Sequence, residues 1–199
     1  MKLVFLVAGF FSMFCTVSVF ANESIISIDP SHTTPNQIAS YSHVDEISIT
    51  TTFSDDWSVF DSLPETQRLA IFANGEHLPE TLIKLIAELE KVQRISFEET
   101  ELSELTFLNG FKDLKSLSFN ASMVHDASSL KSLDGLETLS FVYSGVDENS
   151  IFLVPDNLFQ LTVDRSTYLL KPIKSAVGSW LEGQLPADGK RELMIIGDY

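Results

Sequence analysis

Six copies of one apolar triplet, spaced almost evenly along the chain, leave few folds open to it. Ile47, Leu69, Ile95, Leu117, Leu139 and Leu161 follow one another at intervals of 22, 26, 22, 22 and 22 residues. Two positions after each stands another large apolar residue: Ile49, Ile71, Phe97, Phe119, Phe141 or Val163. Three positions before each stands Val44, Thr66, Val92, Leu114, Leu136 or Leu158. A period of about 20 to 29 residues with this core is the mark of a solenoid, in which every turn repeats one short strand. Alternation along such a strand turns two residues inward and their neighbours outward.

Five positions after each anchor stands Thr52, Asn74, Thr100, Ser122, Ser144 or Ser166. Small polar residues at all six places form a second periodic signal. A hydroxyl there has one donor and two lone pairs with which to bond backbone groups of adjoining turns. Over about residues 41–166 the chain resembles the 22-residue class of leucine-rich repeats (LRR) found in internalin-type bacterial proteins. The resemblance implies an α/β solenoid with a parallel β-sheet on the concave face and short helices or turns on the convex face. It also implies that these polar positions stand in for the family's asparagine ladder, and that ligands are recognised on the concave face. The chain departs from the family pattern in its Ser/Thr ladder and in Thr66 at a leucine position.

The longer interval has a local explanation in sequence. Four extra residues between Leu69 and Ile95 equal about one helical turn. The segment after Pro79 sets Leu82, Leu85, Ile86 and Leu89 on one helical face, which predicts a full helix there. Residues 22–40, rich in Ser, Thr, Asn and Pro, read as a polar linker and N-terminal cap, with Ile25, Ile26 and Ile28 as a candidate edge strand. Beyond Ser166 the pattern changes. Pro172 opens a predicted helix with Ile173, Ala176, Val177, Trp180 and Leu181 on one face, and Leu193–Ile196 reads as a final strand. The last turn of a solenoid needs its apolar edge covered, so 167–199 is expected to form a helix-plus-strand C-terminal cap.

Residues 1–21 have a short cationic start, an apolar stretch and a Val19-Phe20-Ala21 break, the pattern of a secretory signal peptide. The stretch is also just long enough to span a bilayer, so an uncleaved anchor is the alternative. Phe14 makes Cys15 a poor lipidation site. Cys15 is the single cysteine, so the exported part would have no disulfide. That part would carry 12 basic and 28 acidic residues, which disfavours nucleic acid and anionic lipid and steers toward a basic protein partner. The expected destination is the periplasm or the secreted fraction, without stable membrane insertion after cleavage, and as a monomer.

The outward strand positions are the candidate partner-binding surface. The column before the anchors includes Arg68 and Arg94, and the column after them is small: Ser48, Ala70, Ser96, Ser118, Ser140 and Thr162. The next outward pairs supply Phe72, Glu98, Asn120, Val142, Tyr143, Asp164 and Arg165, with Phe159 nearby. Exposed aromatic and large apolar residues are the raw material of interface hot spots. Arg68 and Arg94 are expected to pair across strands with Glu98 and Glu99.

No catalytic motif appears, and His32, His43, His77 and His125 read as lying at unrelated repeat positions, so no histidine pair is expected to meet. Asp55, Asp56, Asp147 and Glu148 read as solvated turn acids. The expectation is a non-enzymatic binding module without metal or cofactor, holding a protein on its concave face. An immunity or inhibitor protein for a basic toxin or enzyme is its sharper form. A cell-envelope or surface structural or adhesion protein is the alternative.

Overall fold

The computed structural model describes residues 17–20, 23–51, 56–183 and 191–197. The described strands form one open sheet: β1 (Val17–Phe20), β2 (Glu23–Ile28), β3 (Glu46–Thr50), β4 (Arg68–His77), β5 (Arg94–Leu102), β6 (Ser116–Asn120), β8 (Thr138–Val142), β10 (Gln160–Asp164) and β11 (Glu192–Ile196) follow in chain order. Two short strands, β7 (Met123–Val124) and β9 (Gly145–Val146), extend β5 beyond its pairing with β6. All pairings are parallel except that of β1, which lies antiparallel on β2. The molecule is thus an α/β-type fold built on a single, unclosed, almost wholly parallel sheet.

The period and the register coincide. Ile47 pairs with Leu69, Leu69 with Ile95, Ile95 with Leu117, Leu117 with Leu139 and Leu139 with Leu161. The anchors, the residues two after them and those three before them are all at most 2 % exposed. Ile26 and Ile28 extend the two apolar columns onto β2, opposite Ile47 and Ile49. Within the column two after the anchors, Phe97, Phe119 and Phe141 stack nearly parallel, with centroids 5.5 and 4.8 Å apart. Phe107 and Phe152 close the ends of this file edge-on at interplanar angles of 90°. Both geometries suit the aromatic quadrupole. Thr66 keeps its leucine position by donating its hydroxyl to the Arg68 carbonyl at 2.9 Å.

Strands β6, β8 and β10 are each entered through a shared acceptor. The Gln93 carbonyl receives both Lys115 N–H and Ser116 N–H, the Lys115 carbonyl both Glu137 and Thr138, and the Glu137 carbonyl both Phe159 and Gln160. In these turns one residue positions the start of the next strand.

The polar ladder is present but shorter than the sequence suggests. Thr100 N–H donates to Ser122 Oγ at 3.1 Å and Ser122 N–H to Ser144 Oγ at 3.0 Å, all three residues being buried. At the ends the inward place moves by one residue. Ala73 is buried and Asn74 exposed, while Thr167 is buried and Ser166 exposed. Thr167 Oγ1 donates to the Ser144 carbonyl at 2.7 Å, taking the place expected for Ser166. Thr52 lies outside the described residues.

The four extra residues are divided between two places. Phe72 pairs with Glu98, 26 positions on, whereas Glu76 pairs with Thr100, 24 positions on. Two of the four are therefore absorbed by a bulge within β4. The rest lengthen the crossover that holds α2 (Glu80–Ala87), whose Leu82 and Ile86 are buried. Other crossovers use 3₁₀ turns at Trp57–Val59, Thr106–Gly110 and Ser128–Ser132.

Before β3 stands α1 (Pro35–Ile38), closed by a capping box of Thr34 and Gln37. After β10 come α3 (Arg165–Leu169) and α4 (Lys171–Glu182). Ile173, Ala176, Val177 and Trp180 join the core, but Leu181, expected on the same face, is exposed. Strand β11 prolongs the sheet, with Leu193 opposite Leu161, and leaves Met194, Ile195 and Ile196 at 41, 48 and 42 % exposure. Among the described residues the apolar columns thus end on a partly exposed strand. The segment read as a signal peptide, residues 1–21, is described only at β1; its remainder lies outside the described residues. Among the described residues no helix is long and apolar enough to cross a membrane.

Candidate interaction surface on the open face of the sheet

Residues between the buried columns emerge on the face of the sheet opposite the crossovers. Strict register lines them up: Glu46, Arg68, Arg94, Ser116, Thr138 and Gln160 form one row across the strands. Ser48, Ala70, Ser96, Ser118, Ser140 and Thr162 form the next. Thr50, Phe72, Glu98, Asn120 and Val142 form the third. Phe72 and Val142 are half-buried here, and Glu98 and Asn120 are exposed, so four of the expected contact residues share one row.

The arginines pair otherwise than expected. Arg68 Nε lies 3.2 Å from Glu46 Oε2, on the preceding strand of the same row. No ion pair joins Arg68 or Arg94 to Glu98 or Glu99 among the described residues. Glu99 lies within β5, where its backbone takes φ 46° and interrupts the strand alternation.

That left-handed turn recurs. Glu99, Ala121 and Tyr143 each stand four after an anchor with φ of 46°, 49° and 51°, and Asn74, five after its anchor and inside the β4 bulge, has φ 50°. For a bulky residue the conformation is costly, about 1 to 2 kcal/mol. Tyr143 is nonetheless held there with its side chain 76 % exposed. It borders a shallow apolar depression with Ala121, Met123, Gly145 and Leu170. Met123 also lies against Gly145, where a Cβ would meet its Cε at 2.9 Å.

Asp164 explains how Tyr143 is held, and it corrects the reading of Asp164 as a contact residue. It is buried, and its carboxylate accepts from Tyr143 N–H. It also accepts from Ser166 Oγ and from Thr167 N–H, each at 2.7 Å, which caps α3. Burial pushes its pKa up, but the bonds from Thr167, Ser166 and Tyr143 prevail and hold it below the usual carboxylate range. Arg165 is also not a strand residue; it is the exposed first residue of α3. Phe159 precedes β10 and is half-buried, with its N–H on the Glu137 carbonyl and its own carbonyl receiving Glu192 N–H.

On the turns beyond the strands the structure brings together residues that the sequence reading kept apart. Glu101 Oε1 lies 2.6 Å from His125 Nε2 and 3.5 Å from His77 Nε2. Asp147 Oδ2 lies 3.7 Å from His125 Nδ1, and the two imidazoles have centroids 6.3 Å apart. The signal was available: His77, His125 and Asp147 each stand eight after their anchors. The bulge sets His77 opposite Glu101, and His125 reaches back toward it from two residues beyond Met123. The hydrogen bond to Glu101 outweighs desolvation and raises the His125 pKa, while the same bond lowers that of Glu101. Asp147 is lowered first by the Asn149 amide. Among the described residues no group of three His, Cys, Asp or Glu is placed to hold a metal ion.

The chain matches no family model, no curated protein and no solved structure.

Proposed function

We propose that the protein is an exported, non-enzymatic binding module of the leucine-rich repeat type, whose open sheet face is the concave face of a short solenoid and holds a protein partner. One observation carries the reading. Tyr143 is kept almost fully exposed in a strained backbone by a buried carboxylate, next to an apolar depression. Strain maintained by surrounding structure is a feature of functional sites. A rigid exposed aromatic is the kind of group that dominates interface energetics. Register-locked rows of Phe72, Glu98, Asn120 and Val142 would provide the surrounding preorganised contacts.

The acidity of the chain, with 28 Asp and Glu against 13 Lys and Arg, favours a basic partner drawn in by long-range attraction. Together with export through residues 1–21, this supports an immunity or inhibitor protein for a basic toxin or enzyme. The test is affinity capture from envelope and secreted fractions, with wild type and a Phe72→Asp/Tyr143→Asp double variant shown by circular dichroism to fold. One partner held by wild type and lost by the variant supports the reading. Equal capture by both removes the site from the open face.

A structural or adhesion role in the cell envelope is the second reading, favoured by β11. Its free edge carries exposed Met194, Ile195 and Ile196, and unprotected apolar edges promote strand pairing between molecules. Sedimentation distinguishes the two: concentration-dependent self-association lost in an Ile195→Lys variant supports this role, and a monomer at all concentrations removes it.

A further inference from the structure

We infer that the partner delivers a carboxylate, from an aspartate, a glutamate or a chain terminus, to the Arg68–Arg94 pair on the open face. The inference rests on the binding reading above and specifies the chemistry at one end of the surface. Four arginines occur in the chain, and two of them stand directly opposite each other on adjacent strands. Parallel neighbours are about 4.8 Å apart, and like charges so placed repel. Glu46 relieves one of them through Nε of Arg68. Arg94 is exposed, and no carboxylate pairs with it among the described residues. Its other neighbour in the row is Ser116, which is uncharged.

Some lysines of the chain are paired with acids. Lys84 pairs with Glu80, Lys91 with Glu65 and Lys115 with Glu137. Of the acids near Arg94, Asp45, on the rim of the same depression as Gln67 and Gln93, already accepts from Ser24 N–H at 2.7 Å and Ser24 Oγ at 3.1 Å. Glu98 lies two rows along on the same strand, and Glu99 follows it with φ 46°. A guanidinium left in this position, with a second beside it and amides at the rim, presents paired donors that match a planar carboxylate. The two arginines stand at one end of the face, with Val142 and Tyr143 toward the other. The partner segment is thus expected to bring an acid to β4–β5 and an apolar group to β8.

The test follows the Arg Nε–Hε signals of the full chain by nuclear magnetic resonance, with glutarate, glutaramide and sulfate as probes at matched ionic strength. Glutarate should shift the Arg94 and Arg68 signals saturably, in the millimolar range expected of a small ligand with few contacts. Glutaramide should not. Arg94→Gln should abolish the effect, and Arg94→Lys should weaken it several-fold, since lysine lacks the fork. No saturable shift, equal binding of sulfate, or full function in Arg94→Lys overturns the inference. With a captured partner, Arg94→Gln should weaken binding about tenfold or more. Loss of binding in Tyr143→Asp but not in Arg94→Gln would overturn the carboxylate site and leave the open-face reading standing. Unchanged binding in both would overturn the two together.

Discussion

The buried carboxylate of Asp164 accepts a hydrogen bond from the backbone N–H of Tyr143, joining the last two turns of the repeat. The same side chain caps α3 through Thr167. One residue therefore ties β8 and β10 to the C-terminal helices and fixes the most exposed aromatic among the described residues.

Asp164→Ala should lower stability by about 2 kcal/mol, the upper range for loss of an N-cap, with the Tyr143 amide also left unpaired. Asp164→Asn should cost less, because the amide oxygen can still accept from Thr167. Denaturant unfolding measures both. The folded pKa of Asp164 is depressed below its ordinary value of 3.8, so its contribution is present above that pH. It is lost as pH falls through the lower folded value. The wild-type advantage over Asp164→Asn should shrink accordingly in acid.

Tyr143→Gly should leave stability unchanged or raise it, by up to about 1 kcal/mol, because glycine occupies φ near +51° without the Cβ penalty. The same change should abolish partner binding. A variant that is as stable as wild type yet inactive would separate the two roles of this position. Thermal unfolding and the capture assay together read the outcome.

Glu101 and His125 should give the molecule a two-sided pH response. The His125 pKa is raised above 6.5 in the folded state, so its contribution is complete below that value and is lost as pH rises through the folded pKa. The Glu101 pKa is lowered from 4.5, so its contribution is present above that value and is lost as pH falls through the folded pKa. The pair is fully charged between the two folded values. His125→Gln should remove the alkaline limb while leaving the Asp164-dependent acid limb. Both groups are solvent-exposed, so the effect should be small and weakened by salt. Imidazole proton shifts followed from pH 5 to 9 check the direction.

Ser122→Ala should destabilise by about 1 to 3 kcal/mol, since Thr100 N–H is buried and loses its acceptor. Phe119→Ala should cost more, about 3 to 5 kcal/mol, by opening a void between Phe97 and Phe141. If Ser122→Ala proves neutral, the ladder is not a source of stability.

Most of the sheet was legible in the sequence because in stacked parallel strands the chain period and the cross-strand neighbour are the same quantity. Ile47, Leu69 and Ile95 could be named as partners before any coordinates, and so could the open-face row of Phe72, Glu98, Asn120 and Val142. Thr100, Ser122 and Ser144 were equally readable, since three successive intervals of 22 keep their hydroxyls in line.

What only the tertiary structure decided lies where the backbone leaves the period. The β4 bulge moves the inward place from Asn74 to Ala73 and sets His77 opposite Glu101, which no count from the anchors reveals. The left-handed residues interrupt the alternation at Glu99 and at the exposed Tyr143. Asp164 reads as an outward strand residue by alternation, yet the start of α3 draws its carboxylate inside to serve three donors. Periodicity specifies which residues share a row, because that depends on chain length per turn. The partner of each polar side chain depends on local φ, bulges and helix starts, which are settled only when the turns are packed together.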